Sequence, residues 1–519
     1  METFMAAILI IIAMFLLPYL KTIEKNLKEF FRYAGKRAPG PWSLPIIGNI
    51  HKVLGPLPPH HYLRQLSSLY GPVMLLKLGE INTLIISSAE GAREIMKTHD
   101  LDFASRPATA ATNSIFYDGN DIIFGRYGEF WRQMRRICMN ELLCAKQVRC
   151  FQTVREEEIS HLLQSISVTA GEVVDLSSKF ATLSNNIVAR TVIGGTCKEQ
   201  PLFQLALDEA VHYVSGFTIC NLFPSIPSFI NRIAGWQKKL DRCAQKLDRI
   251  AEKILQEHIQ KQAKLLVNGC KVEDKSFTQD DMMDVLIRIQ RDGSLQFPLS
   301  NDNIKAVVND ILMAGSETTS TTMEWVMTEL VRHPEAMRKV QREVRSILGE
   351  GGNTNMTVNE EAVRNKLHYL QLVIKETLRL HTPVPLLLPR ENDERLEVMG
   401  YDIPAKTTVI VNAWAIGRDP KYWEKPDEFW PERFLKNDVD FKGACFEFLP
   451  FGSGRRICPG IHFGLAAVEL TIAHLLYYFD WEYKSKKGEQ LDAADRFGVT
   501  ARRKSSLRLL AIPHIYSSE

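Results

Sequence analysis

Several signatures are missing from this sequence, and each absence narrows its chemistry. The nine cysteines are an odd number, scattered without framework spacing. That excludes a disulfide-built scaffold and fits free thiols in a reducing compartment. None has companion ligands at the close spacing of a structural zinc site. The net charge is only +3, too near balance to argue for a nucleic acid partner. There is no internal repeat, no nucleotide- or flavin-binding motif and no separate reductase domain.

What is present is a chain of 519 residues, 45% hydrophobic and 24% charged, enough for a large buried core. Phe4 to Leu20 is nearly all apolar and uncharged, slightly short against the ~20 residues that cross a bilayer. Glu2 precedes it; Lys21, Lys25, Lys28, Arg32, Lys36 and Arg37 follow it. A cleaved signal peptide has the opposite charge order. The positive-inside rule predicts an uncleaved anchor over residues 1–20, with everything after it in the cytoplasm. Residues 21–45 read as a basic amphipathic stretch, with Phe30, Phe31 and Tyr33 suited to a membrane surface, and a stiff Pro39-Gly-Pro-Trp-Ser-Leu-Pro45 linker. Residues 46–519 form the body.

Within the body, Phe448 to Gly464 is a Gly-rich loop that presents Cys458 and then starts a helix. Gly452, Gly454 and Gly460 permit backbone angles and close approaches that a Cβ blocks. Amides of the loop and helix start, with Arg456 nearby, are expected to favour the Cys458 thiolate. Such a thiolate serves as nucleophile, metal ligand or inert core thiol. Nothing in the sequence pairs one of the 13 His with it, whereas a haem iron takes a single protein thiolate.

Phe451, Gly454, Arg456, Cys458 and Gly460 match the pattern Phe-x-x-Gly-x-Arg-x-Cys-x-Gly. The sequence resembles the cytochrome P-450 family of haem-thiolate monooxygenases. The resemblance implies a mainly α fold with a small β region, haem b held through Cys458, and dioxygen as co-substrate. It extends from Pro39 to the C-terminus through further motifs. Trp131 and Arg135, four apart on a helix predicted over Tyr127 to Leu143, match Trp-x-x-x-Arg, which faces a haem propionate. Arg132 and Arg136 then face a docking electron donor. Arg390 resembles a second propionate clamp. Glu376 and Arg379 match Glu-x-x-Arg, and Arg433 the third member of that structural network.

Asn301 to Arg332 has apolar residues at helical period. Ser300, Asn301 and Asp302 offer caps, and His333-Pro334 ends it. Its centre, Ala314-Gly-Ser-Glu-Thr-Thr319, puts glycine and hydroxyls where Leu or Ile would stabilise more, at ~1 kcal/mol for the glycine alone. This matches the family's oxygen-binding segment. There Gly315 makes room for dioxygen, and Thr318 and Glu317 relay protons.

Val73 to Leu78 and Thr83 to Ser87 read as strands, and Gly400 to Asn412 as a β-hairpin. Arg106 to Phe124 has no clean period and reads as a long loop, by resemblance the one over the haem. Lys261 to Gln279 reads as an exposed loop. Tyr213 to Ile230 resembles the lid of the substrate cavity, and Phe497 to Thr500 its last turn. Ile311, Leu312, Val384, Leu386, Leu387 and Val499 line that cavity on this reading, mostly apolar and with no charge to anchor a carboxylate or amine. Asn355-Met-Thr is a glycosylation sequon that a cytoplasmic domain leaves unmodified.

The run Trp131-Arg-Gln-Met-Arg135 looks like the plant microsomal A-type group. It implies monooxygenation of a small apolar metabolite, a sesquiterpenoid or diterpenoid, with an alkaloid or phenolic as the alternative. Electrons then come from a membrane-bound NADPH-cytochrome P-450 reductase, at the endoplasmic reticulum, with one membrane pass. A dioxygen-independent haem isomerase or dehydratase is the reading from another class, and a haem sensor or electron carrier a third. Intact Thr318 and the unbroken Cys loop speak against the first, the apolar lid and cavity against the second.

Overall fold

The computed structural model describes residues 37–514, apart from 196–199, 215–218, 226–234, 268–279, 294, 350–359, 485–489 and 497. The expected anchor, most of the linker, the sequon and Phe497 lie outside the described residues, as does part of the expected lid.

Among the described residues, three small sheets accompany a helical body. The first has the order β1–β2–β7–β4. β1 (Val73–Leu78) and β2 (Ile81–Ile86) form the expected antiparallel pair, Leu75 opposite Leu84. β7 (Thr408–Val411) runs parallel to β2, and β4 (Arg390–Glu391) antiparallel to β7. Leu84, Ile86, Val409 and Val411 pack on one face and Ile85 and Ile410 on the other, the alternation that pleating dictates. The second sheet joins β3 (Val173–Asp175), β9 (Arg508–Pro513) and β8 (Phe479–Glu482) in that order.

The expected Gly400–Asn412 hairpin is corrected. β5 (Leu396–Val398) pairs with β6 (Tyr401–Ile403), and β7 leaves for the first sheet. Asn392 holds the intervening turn. Its Nδ2 donates to the Pro404 carbonyl at 2.8 Å, and its Oδ1 accepts from the Thr407 amide at 2.9 Å. β7 is apolar on both faces, so it is stable only where both are covered.

Seven helices matter for the site: α1 (Glu129–Ile137), α2 (Leu176–Ile193), α3 (Gln200–Val214), α4 (Trp236–Val267), α5 (Asn301–Arg332), α6 (His368–Leu380) and α7 (Ile461–Tyr478). α4 continues through Val267, so residues 261–267 of the expected exposed loop are helical, and 268–279 lie outside the described residues. The Arg106–Phe124 segment also holds a short helix, Ala110–Ile115. Its Thr109–Thr112 capping box, not an apolar period, starts it.

α5 has the bounds its sequence predicts. Ser300 caps it: its Oγ accepts from the Asn303 amide at 3.2 Å while Asn303 Oδ1 accepts from the Ser300 amide at 2.9 Å. The helix is buried almost throughout, against α2, α7 and α6. Among the described residues, α7 alone is long and apolar enough to cross a membrane, but most of it is buried in the core.

Candidate active site

The Cys loop is fastened at both ends. Phe446 and Leu449 pack against the first sheet, and the Cys458 amide donates to the Phe451 carbonyl at 3.0 Å. Gly454 has φ +70°, and a Cβ there would lie 2.3 Å from the Met96 carbonyl oxygen. No other residue fits both conditions. Gly460 has an ordinary φ of −92° and acts differently, donating its amide to the sulfur.

Cys458 sits deep in the protein, yet its surface is only partly covered. Burial pushes the thiol up, and the Gly460 amide and the Arg135 guanidinium pull it down less. The Gly460 amide thus acts in the expected sense, with burial opposing it. The cation beside Cys458 is Arg135, not Arg456.

Arg456 turns away to other partners. Its Nε donates to the Ala104 carbonyl at 2.7 Å, and its guanidinium lies 4.0 Å over the Trp131 ring. Trp131 Nε1 donates to the Ile122 carbonyl at 3.1 Å. Arg135 donates to the Ile457 carbonyl, one residue before the cysteine. Arg390, on β4, donates to Asp100 Oδ1 at 3.1 Å and to the Ser453 carbonyl at 3.0 Å. Arg132 and Arg136 are exposed on a neighbouring face of α1.

A further residue belongs here that the motifs did not single out. Arg106 is buried and donates to the Leu388 and Pro389 carbonyls at 2.6 and 2.7 Å. The Glu391 amide bonds the Ser105 carbonyl at 3.0 Å, which brings Arg106 beside Arg390. Burial, then the charges of Arg456, Arg390 and Arg135, push its guanidinium well below its usual range. The available signal was the arginine at the start of the long loop.

Arg106, Arg135, Arg390 and Arg456 thus lie within one another's field, with Arg135 beside the Cys458 sulfur, and Asp100 and Asp121 are carboxylates facing them. Uncompensated buried charge is costly unless an anion pairs with it. A dianionic cofactor whose metal takes one thiolate fits this set.

The opposite wall is α5. Between Asn303 and Leu330, Ala314 is the one exposed residue, and Thr318, one turn on, is half-buried on the same face. A Cβ at Gly464, in the first turn of α7, would lie 3.7 Å from Thr319 Oγ1, so α5 and the Cys loop's helix adjoin here. Thr318 Oγ1 donates to the Ala314 carbonyl at 2.8 Å, and Ser316 Oγ to that of Leu312 at 2.8 Å.

The expected role of Gly315 is corrected. A Cβ there would point at α2, 3.1 Å from Val188 Cγ2. The glycine gives room for helix packing, not for a ligand on the Ala314–Thr318 face. Glu317 also turns aside: Thr500 Oγ1 donates to it, and Arg502 Nε lies 2.8 Å from its Oε1. It borders a cavity of about 20 Å³ lined in part by Leu312, Ser316, Asn185 and Arg502. That volume holds roughly one water.

Of the expected cavity residues, Ile311 and Leu312 are buried; Val384, Leu386, Leu387 and Val499 are partly buried. The Ala501 amide bonds the Pro383 carbonyl at 2.8 Å, which sets the Val499 and Val384 segments side by side. Leu312 faces the Glu317 cavity.

The structural network is formed in full. Arg379 Nε and Nη2 each donate to Glu376 at 2.8 Å, and Arg433 Nε donates to Glu376 at 3.0 Å. Arg379 Nη1 also reaches the Gly417 and Pro426 carbonyls at 2.6 Å.

Comparison with known proteins agrees with this geometry. The cytochrome P450 family model matches residues 38–506. Desmethyl-deoxy-podophyllotoxin synthase of Sinopodophyllum hexandrum is 46% identical over 98% of this chain and 96% of that protein. Premnaspirodiene oxygenase of Hyoscyamus muticus is 44% identical over 93% of this chain and 94% of that protein. A zebra fish cytochrome P450 solved with abiraterone superposes with a TM-score of 0.72, at 27% identity, over 88% of this chain and all of the other. A buried thiol beside a cluster of arginines, a helix open at one turn and this breadth of similarity have one account: the chain belongs to the cytochrome P450 family, and it is a plant-type monooxygenase.

Proposed function

We propose that the chain oxidises a small apolar terpenoid, a sesquiterpenoid or diterpenoid, at the endoplasmic reticulum membrane. The observation that carries the site is the cluster of Arg106, Arg135, Arg390 and Arg456, with Arg135 beside Cys458 and too few carboxylates to match them. Haem b fits that imbalance, its propionates taken by the arginines with Trp131 beside them, and its iron by the Cys458 thiolate. When bound, the haem supplies activation of dioxygen, and a thiolate ligand favours O–O cleavage.

The chain's own residues do the rest. The Ala314–Thr318 face leaves space beside the Cys loop. Thr318 Oγ1 holds its proton on the Ala314 carbonyl and is placed to turn it toward that space. Glu317, held by Thr500 and Arg502 beside the adjoining cavity, is the carboxylate through which the relay continues toward solvent. Ile311, Val384, Leu386, Leu387 and Val499 offer apolar surface and exclude water; no charge among them anchors a polar substrate. Exposed Arg132 and Arg136 suit docking of an acidic NADPH-dependent reductase, which supplies the electrons.

The terpenoid reading is supported by relatives such as premnaspirodiene oxygenase. The test is co-expression with a plant reductase in microsomes fed terpenes, alkaloids and phenolics, with products identified by mass spectrometry. Oxygenated terpenes formed only with NADPH are expected. Conversion of phenolics or alkaloids alone, or turnover without NADPH and dioxygen, overturns the reading. A reduced sample under carbon monoxide that shows no sulfur-ligated haem band overturns the site.

A further inference from the structure

Two buried carboxyl groups lie outside the relay just described. Asp310 is on α5 and Asp121 on the segment that crosses above it, each 1% exposed. One oxygen of each is satisfied by backbone: Asp310 Oδ2 accepts from the Ile122 amide at 2.8 Å, and Asp121 Oδ2 from the Phe124 amide at 2.9 Å. The other oxygen of each, Oδ1, has no donor. The two side chains are nonetheless within hydrogen-bonding reach of each other.

The Gly125 and Ile123 amides lie beside the two carboxyls, yet neither Oδ1 has a well-formed hydrogen bond from them. Two ionised carboxylates held so, away from water, repel. A single proton removes both problems at once: the protonated carboxyl donates to its neighbour, and both orphan oxygens are satisfied.

The position gives this pair a task. Ile122, held at its amide by Asp310, accepts at its carbonyl from Trp131 Nε1 at 3.1 Å and from Arg456 Nη1 at 3.3 Å. One residue therefore connects α5 to two of the side chains assigned above to the cofactor. We propose that Asp310 and Asp121 share one proton and so form a latch that fixes Ile122, and through it Trp131 and Arg456. Both are positioning residues, since neither touches the cofactor.

The charged and titratable groups facing the pair fix where the proton sits. Arg456 and Arg106 face Asp121 and favour its ionised form. Asp310 faces Asp121 and the Cys138 thiol. Asp310 thus keeps the proton. Burial, then the charge of Asp121, holds its carboxyl well above the usual carboxylate range. Burial pushes Asp121 up to about 6, against the pull of the Phe124 and Gly125 amides and Arg456. A carboxyl raised in the folded state contributes stability at low pH and loses it as pH rises through the folded value. The latch therefore opens on the alkaline side, when Asp310 ionises.

The inference about Trp131 and Arg456 rests on the proposed haem site, and the shared proton does not. Two measurements on the full-length purified protein separate them. Infrared spectroscopy at neutral pH reads the carbonyl band of a protonated carboxyl. A difference spectrum between the native protein and Asp310→Asn, whose amide donates in place of the proton, is expected to show one such band. Equal spectra overturn the shared proton whether or not haem is bound.

Haem transfer to excess apomyoglobin, followed from about pH 6 to about pH 9, reads the latch. The native protein is expected to release haem several-fold faster at the alkaline end. Asp310→Asn is expected to lose that pH dependence and stay near the slow, low-pH rate. Asp310→Ala is expected to release it about tenfold faster throughout, as for loss of a hydrogen bond to a buried group. An Asp310→Asn profile identical to the native one overturns the latch, and so does native-rate release from Asp310→Ala. If Asp310→Ala fails to fold, Asp310→Asn decides alone.

Discussion

At the scale of single residues, the site is a problem in charge. Arg106 shows it best, because its Nη1 bonds two adjacent carbonyls and its Nε a third while three other guanidinia surround it. If an anionic cofactor balances this group, Arg106→Ala weakens its retention. Haem transfer to apomyoglobin should speed up by about tenfold, the scale of a charge-assisted hydrogen bond. Arg106→Lys should recover little, since an ammonium cannot reproduce the planar fork. A lysine variant that restores native retention would show that only net charge matters. Thr318 makes the complementary case. Its hydroxyl rests on the Ala314 carbonyl, so Thr318→Ala leaves the fold and the haem spectrum intact. Product formed per NADPH consumed should fall, by about tenfold for loss of one proton donor. Unchanged coupling would remove Thr318 from the relay.

At the scale of elements, buried polar groups are tolerated where each is fully bonded. Glu376 and Arg379 are both fully buried, and their network ties α6 to the segments around Gly417, Pro426 and Glu428. Arg379→Ala leaves Glu376 without its main partner and should cost about 3–5 kcal/mol, read as a lowered denaturation midpoint. A loss under ~1 kcal/mol would mark the pair as no better than a surface one. α7 carries a different kind of group. Burial pushes Glu469 from 4.5 up to about 7, with Arg364 pulling it down and Glu360 adding to the rise. The folded state then keeps a proton that the unfolded chain sheds above 4.5. Stability should fall as pH climbs through that interval, and Glu469→Gln should flatten the slope between those values. An unchanged slope in urea titrations at several pH values would place the effect on another group.

These elements also show what a sequence makes visible. α5 was legible to its end residues because apolar period, cap and terminating proline agreed. The Cys loop and the Glu376 network were legible because their residue types sit at short, fixed spacing. The destination of β7 was not, because a strand's sequence states its burial and not its partner. The direction of the empty Cβ at Gly315 was not, because it depends on where Val188 arrives from another helix. Arg106 and the Asp121–Asp310 pair were missed for the same reason: their meaning lies in contacts across 188 residues of chain and more.

At the scale of the whole molecule, the outer surface is not neutral to its surroundings. The start of the described chain exposes Trp42, 76% accessible, and Ile46, 65%, with Ile47, Leu54 and Leu57 close behind in sequence. Large apolar side chains crowded into so short a stretch mark a face that meets a partner or a bilayer. Placed next to an apolar N-terminal run and a basic stretch, they suit the acyl boundary of a membrane. The body should therefore hold to lipid even without the run of residues 1–36. A version lacking that run should keep its carbon monoxide spectrum, since every site residue lies beyond it, and still sediment in part with vesicles of neutral and anionic lipid. Adding Trp42→Ser and Ile46→Ser removes two side chains worth ~1.5–3 kcal/mol each when fully buried. Partial immersion makes the expected loss in partitioning about tenfold to a hundredfold. Equal partitioning with and without the two serines would leave this face in water, and membrane attachment would then belong to the N-terminal run alone.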